Sequence, residues 1–118
     1  MYDIEDDLKL FFSDIELQRI VDNNLSNAIK YANKNTDIKV ILKKEKRWIV
    51  LEFLTYSKQI VDTDRIFEPF HQEENKQGGF GLGLEIVHSI CTKENVQVEV
   101  ISDTEVTIFR YNFVNNIV

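Results

Sequence analysis

From Ser13 and Asp14, both good helix-capping residues, the apolar positions Leu17, Val21, Leu25, Ala28 and Ala32 fall on one face of a helical period. The spacing predicts a helix of about twenty residues that stops at Asn33-Lys34-Asn35. Ile38 to Leu42 and Trp48 to Leu54 then read as two strands of an antiparallel hairpin around the charged turn Lys43-Lys44-Glu45-Lys46-Arg47. Residues 56 to 79 lack a period, apart from one short helical turn capped by Asp62 or Thr63 ahead of Ile66-Phe67. Pro69 follows, and His71 to Gln77 is polar and expected to move. A second helix is predicted from about Leu82 to Lys93. Val96 to Val100 and Val106 to Phe113 alternate with period two and predict a closing hairpin. Leu8 to Phe12 reads as a first strand, and Asp3-Ile4-Glu5-Asp6-Asp7 as a solvated, frayed segment before it. The order implies an α+β fold, a two-layer α/β sandwich whose mixed, mostly antiparallel sheet is covered on one face by helices.

At 118 residues the chain is expected to form a single domain, 1–118. Its formal charge of −6, with no long basic run, argues against a nucleic-acid surface. Cys91 is the only cysteine, so no internal disulfide forms, and a reducing compartment is the expected home. The apolar runs are too short and interrupted to span a membrane, which points to a cytoplasmic domain or a cytoplasmic piece of a larger protein.

All four glycines lie between Gly78 and Gly83, directly before the second predicted helix. Glycine loses the most backbone freedom on folding, so this cluster implies unusual backbone angles or a close approach. A helix N-terminus behind such a loop offers unpaired N–H groups and partial positive charge to a phosphate. The Walker loop is excluded because no glycine precedes a lysine, and the dinucleotide fingerprint because Gln72 to Gln77 is no strand. The eukaryotic kinase loop lacks its lysine strand and catalytic loop. On the first helix, Asn23, Asn27 and Lys30 form a polar stripe opposite the apolar face. Solvent is served better by Glu, Lys or Gln, because asparagine is a mediocre helix former. An amide oxygen is a hard, neutral ligand suited to magnesium, and a lysine supplies a point charge for phosphate.

Three segments together resemble the ATP-binding catalytic domain of bacterial two-component sensor histidine kinases, of the Bergerat-fold ATPases. Asp22 to Tyr31 is similar to that family's N box, Ile66 to Phe70 to its F box, and Gly79 to Val87 to its second glycine box. The resemblance extends from about Leu8 to Phe113 and implies ATP and Mg2+ as cofactors. It implies that Asn27 is the magnesium ligand, with Asn23 beside it and Lys30 reaching the phosphates. Tyr31 would line the pocket, and His71 to Gly79 would form a lid carrying Lys76. Gly79, Phe80, Gly81, Leu82, Gly83 and Leu84 would supply the phosphate-binding turn. The implied reaction is transfer of the γ-phosphoryl group to a histidine, helped by positioning and charge neutralisation.

The family's first glycine box carries an aspartate for the adenine amino group, two glycines and an apolar residue. The matching positions here are Thr55, Ser57, Gln59 and Ile60, so acid and glycines are absent. Thr55 still accepts through its hydroxyl, at an affinity cost of about five- to tenfold. Thr107 matches a threonine at the same corner. His71 and His88 lack the acidic neighbour of a phosphoacceptor and read as loop and helix-surface residues. Cys91 reads as a small buried hydrophobe, and Phe67 and Phe70 as packing at the lid's base.

The resemblance implies a separate dimerisation and phosphoacceptor domain and a response regulator as partners, no direct membrane contact by this domain, and a parent protein anchored in the inner membrane. A degenerate interaction module with weak or no nucleotide binding is the alternative reading. Another Bergerat ATPase, of mismatch-repair or topoisomerase type or a serine-phosphorylating relative, is a third.

Overall fold

A computed structural model of the chain describes residues 2–4, 12–61, 63, 66–67 and 82–114. The elements are β1 (Tyr2–Ile4), α1 (Asp14–Tyr31), β2 (Lys39–Glu45), β3 (Trp48–Tyr56), α2 (Leu82–Glu94), β4 (Gln97–Ser102) and β5 (Val106–Val114). They form one five-stranded sheet in the order β1-β2-β3-β5-β4. Only β1 pairs in parallel, with β2, and the other three pairings are antiparallel. The α+β sandwich with a mixed sheet is the fold that the alternation of periods implies.

Local chemistry sets the ends of the elements. Ser13 Oγ accepts from the Glu16 N–H at 3.3 Å, and Asp14 and Glu16 add negative charge to the first turn of α1. Asn95, at φ 59°, closes α2 in the left-handed conformation, and the Val96 N–H donates to the Cys91 carbonyl at 2.9 Å. Lys46, at φ 57°, turns the β2–β3 hairpin. At the β4–β5 turn Asp103 Oδ1 accepts from the Glu105 and Val106 N–H groups, and these bonds hold its carboxyl below the usual range.

Alternation on the strands sorts the two faces of the sheet. Ile49, Leu51 and Phe53 of β3 and Tyr111 and Phe113 of β5 meet Ile20, Val87, Ile90 and Cys91 of the helices in the core. Burial pushes the Cys91 thiol up to about 12, as befits a packed hydrophobe. On the opposite face Glu52, Arg110 and Glu99 lie side by side across β3, β5 and β4. Arg110 bonds both carboxylates, Glu99 at 3.1 Å and Glu52 through Nε, and these pairings raise the guanidinium pKa.

Two expectations need correction. Tyr2–Ile4 is a strand, not a frayed segment, because its backbone pairs with Val40 to Leu42 whatever its side chains. The first helix is rotated from its expected setting. Its buried centre is Ile20, Asn24 and Ala28, while Leu17, Val21 and Leu25 flank the core. The expected strand Leu8 to Phe12 falls outside the described residues except for Phe12, whose ring meets Phe113 edge-on at 5.2 Å.

Candidate functional site

The site is built on α1. Asn23, Asn27 and Lys30 are half-buried rather than solvated. They run beside the buried stripe, about 90° around the helix from it, not opposite. Three amides there share one orientation. Asn23 Nδ2 donates to the Arg19 carbonyl at 2.8 Å, Asn24 Nδ2 to Ile20 at 2.8 Å and Asn27 Nδ2 to Asn23 at 2.9 Å. Each NH2 thus donates one turn back along its own helix, and each amide oxygen is turned away from that carbonyl.

Their surroundings separate the three. Asn24 Oδ1 accepts from the Tyr111 hydroxyl at 2.9 Å in the core, tying α1 to β5. Burial, only partly opposed by this bond, keeps Tyr111 protonated far above the usual phenol range. Asn23 Oδ1 faces the start of α2, where a Cβ on Gly83 would lie only 2.9 Å from it. A Cβ there would have to push the Asn23 amide aside, so glycine lets the two helices approach closely. Asn27 Oδ1 accepts from no described residue, which leaves its lone pairs for a cation. Lys30 Nζ lies 5.8 Å from the centre of the Tyr31 ring. Tyr31 is exposed at the end of α1, and partial desolvation raises its pKa.

The N-terminus of α2 therefore abuts the middle of α1. Leu82 and Gly83 open α2 with the unpaired N–H groups of a first helical turn, while the Leu84 side chain is buried and anchors that turn. Gly79, Phe80, Gly81 and Lys76 lie outside the described residues, as does the expected lid.

The other end of the site lies where α1 stops. The Asn33 N–H donates to the Tyr56 carbonyl at 2.7 Å, and Ala32 bridges Ser57. Thr55 and Thr107, both expected at the base end, are direct cross-strand partners. Ser57 joins them: its hydroxyl lies 3.3 Å from Thr55 Oγ1 and donates to Thr107 Oγ1 at 3.2 Å. The Ile60 N–H donates to Ser102 Oγ at 2.8 Å, and Ser102 meets Thr107 Oγ1 at 2.7 Å. Asn23 and Tyr31 are about 12 Å apart along α1, so Gly83 and the hydroxyl row sit toward opposite ends of that helix. Sequence reasoning missed Asn24, Ser102 and the linking role of Ser57. Asn24 was legible as the position midway between Ile20 and Ala28 at a spacing of four.

His88 is an exposed helix residue, as expected, stacked on Phe67 at 5.5 Å and 25°. Phe67 also meets Phe109 edge-on at 6.1 Å, so it packs rather than opening to solvent. Phe67, His88, Cys91, Thr92, Val96 and Val98 line part of a cavity of about 330 Å³, and no expected site residue does. Among the described residues no cluster of three or more His, Cys, Asp or Glu is placed to hold a metal.

The α+β sandwich thus sets the half-buried polar stripe of α1 against Gly83 at the start of α2. Residues 13–114 match the family described as histidine kinase-, DNA gyrase B-, and HSP90-like ATPase, and the chain belongs to it. It is 30% identical over 103 residues to the sensor histidine kinase CssS of Bacillus subtilis (strain 168), a match covering 86% of this chain and 22% of that protein. The catalytic domain of histidine kinase ThkA superposes with a TM-score of 0.84 at 19% identity, over 97% of this chain and 76% of that one. Full-length ShkA, solved in complex with AMPPNP, gives 0.80 at 20% identity, over 95% and 24%. The chain thus spans about a fifth of the length of CssS. It is an ATPase-type domain of that family, similar in sequence to part of a sensor histidine kinase. Among the described residues no helix is long and apolar enough to cross a membrane.

Proposed function

We propose that this chain binds Mg-ATP and donates the γ-phosphoryl group to a histidine on a separate dimerisation domain, within a two-component signalling kinase. One observation carries the reading: the Asn23 amide oxygen faces the start of α2 at Gly83, and Asn27 lies one turn further along the same half-buried stripe of α1. Relatives named as sensor histidine kinases support it, as does the likeness of the fold to ShkA, which was solved with AMPPNP. A response regulator would take the phosphoryl group onward, and a cytoplasmic site of action in a membrane-anchored parent follows from the same reading.

The residues fit a magnesium ion. Asn27 Oδ1 is an oxygen with no described partner, and a neutral amide leaves the ion's charge for the phosphates. When bound, magnesium neutralises charge on the β- and γ-phosphates. Asn27 holds the ion's place on the helix, and Asn23 spaces the helix from Gly83. Lys30 leaves the Tyr31 face to meet phosphate oxygens as a point charge. The N–H groups at the start of α2 orient the phosphate chain through their partial positive charge. Thr55 and Thr107 close the base end, with Tyr31 and Ile60 along the wall. None of these side chains takes part covalently, so the rate comes from positioning and charge.

The test supplies a histidine-kinase dimerisation domain in trans together with γ-labelled ATP. Label should appear on its histidine with this chain and vanish with Asn27→Ala. Absence of both ATP binding and transfer would support an interaction module instead.

A further inference from the structure

Val98 and Val100 of β4 pair with Tyr111 and Phe109 of β5, which places them on the helix-covered face of the sheet. Further in along the same rows Tyr111, Leu51 and Phe53 are buried, yet both valines are only half-buried. The sheet runs on past α2 at its β4 edge, and the space between them is the cavity of about 330 Å³. That volume is at the lower end of small-molecule pockets, roughly 300–1,000 Å³. A dry cavity of about 150 Å³ takes benzene, so this one has room for two fused rings.

The lining fixes the chemistry of an occupant. Val96, Val98, Val100 and Phe67 make an apolar wall, and the buried Cys91 lies between them and α2. The Phe67 and His88 rings, stacked at 5.5 Å and 25°, form a flat aromatic pair that another ring can cover by offset or edge contact. Thr63, Thr92 and His88 supply the polar groups. No Asp, Glu, Lys or Arg lines the cavity among the described residues, so an ion entering it would lose water without gaining a counter-charge. Thr92 lies about two and a half turns beyond Gly83, so the cavity and the Gly83 contact with Asn23 occupy opposite faces of α2.

We propose that this cleft between α2 and β4 is a second binding site, for a small uncharged aromatic compound of one or two fused rings bearing a single hydroxyl or N–H. The rings displace water from the three valines and Phe67, and this hydrophobic gain drives binding. The polar substituent meets the Thr63 or Thr92 hydroxyl or the His88 imidazole, each able to donate or accept. The proposal is independent of the nucleotide reading, because none of the residues assigned to Mg-ATP lines the cavity.

The experiment titrates the chain with 2-naphthol at neutral pH, where this phenol is uncharged, and follows valine and threonine methyl signals by NMR. Saturable shifts should appear at Val96, Val98, Val100 and Thr92 with a Kd of about 1 mM or tighter, while Thr55 and Thr107 stay unmoved. Shifts centred on Thr55 and Thr107, or no saturation by the solubility limit of the compound, would overturn the proposal. Val98→Phe puts a ring into the void and should weaken binding at least about tenfold without lowering the urea midpoint. Thr92→Phe, at an exposed position of α2, blocks the cleft from the helix side and should weaken it similarly. Unchanged affinity in either folded variant would count against the site. 2-Naphthoate, the same rings carrying a carboxylate, should bind at least about tenfold more weakly than 2-naphthol, and equal or tighter binding would refute the requirement for an uncharged ligand.

Discussion

Removing the Tyr111 hydroxyl by Tyr111→Phe tests the packing that aims α1. That hydroxyl donates to Asn24 Oδ1 at 2.9 Å, with Tyr111 at 0% and Asn24 at 3% exposure. The substitution keeps the ring and its edge-on contact with Phe53 at 6.1 Å, so little apolar packing is lost. What remains is a buried amide oxygen without a donor, since Asn24 Nδ2 stays on the Ile20 carbonyl. Such an orphan costs about 1–3 kcal/mol, and about 2 kcal/mol is expected here because water has no route to the site. With a urea slope of about 1.5 kcal/mol per molar, the unfolding midpoint should fall by about 1.3 M with the slope unchanged. Asn24→Leu alone should cost a similar amount by stranding the hydroxyl instead. The double variant should lie within about 1 kcal/mol of the unmodified chain, giving a coupling of about 3 kcal/mol. Single substitutions that cost under about 0.5 kcal/mol, or simple additivity in the double variant, would refute the reasoning.

Gly83→Ala should leave stability within about 1 kcal/mol, because better helix propensity offsets the clash with Asn23. Nucleotide affinity, read by calorimetry, should nonetheless fall severalfold as Asn23 is displaced. Arg110→Met should cost about 2–3 kcal/mol by leaving the buried Glu52 carboxylate unpaired, with much of the loss recovered when Glu52→Leu is added, as urea midpoints would show. Stability should fall as pH rises above 9. Cys91 and Tyr111 have folded pKa values raised above the ordinary 9.0 and 10.0, so their contribution is complete below those values and lost above them. Urea midpoints from pH 8 to 11 check this, and Cys91→Ala with Tyr111→Phe should flatten the curve.

Elements with strong local periodicity were legible in the chain. The span of α1, the two hairpins and the start of α2 follow from spacing, caps and alternation, which act over a few residues. Interactions between distant residues were not. Asn24 and Tyr111 are 87 positions apart, and an asparagine beside Asn23 gives no local hint that it faces inward. Ser57, Thr107 and Ser102 meet only because the β3–β5 and β4–β5 registers align them. Strand β1 escaped notice because three residues give too short a pattern, and its pairing is made by backbone. The polar stripe was legible as residues but not as a direction, since the amide orientation depends on hydrogen bonds to carbonyls one turn back. Gly83 illustrates the opposite case. Its presence signalled close approach, and the structure supplied the neighbour, Asn23.

The central claim is that the Asn27 amide oxygen and the α2 N-terminus together hold a magnesium-bound triphosphate. Calorimetric titration of the chain with AMPPNP, with and without magnesium, tests it most directly. The account predicts saturable binding that weakens at least about tenfold when magnesium is withheld, and a comparable loss with Asn27→Ala in its presence. Absence of heat up to millimolar nucleotide, or binding indifferent to both magnesium and Asn27, would contradict it.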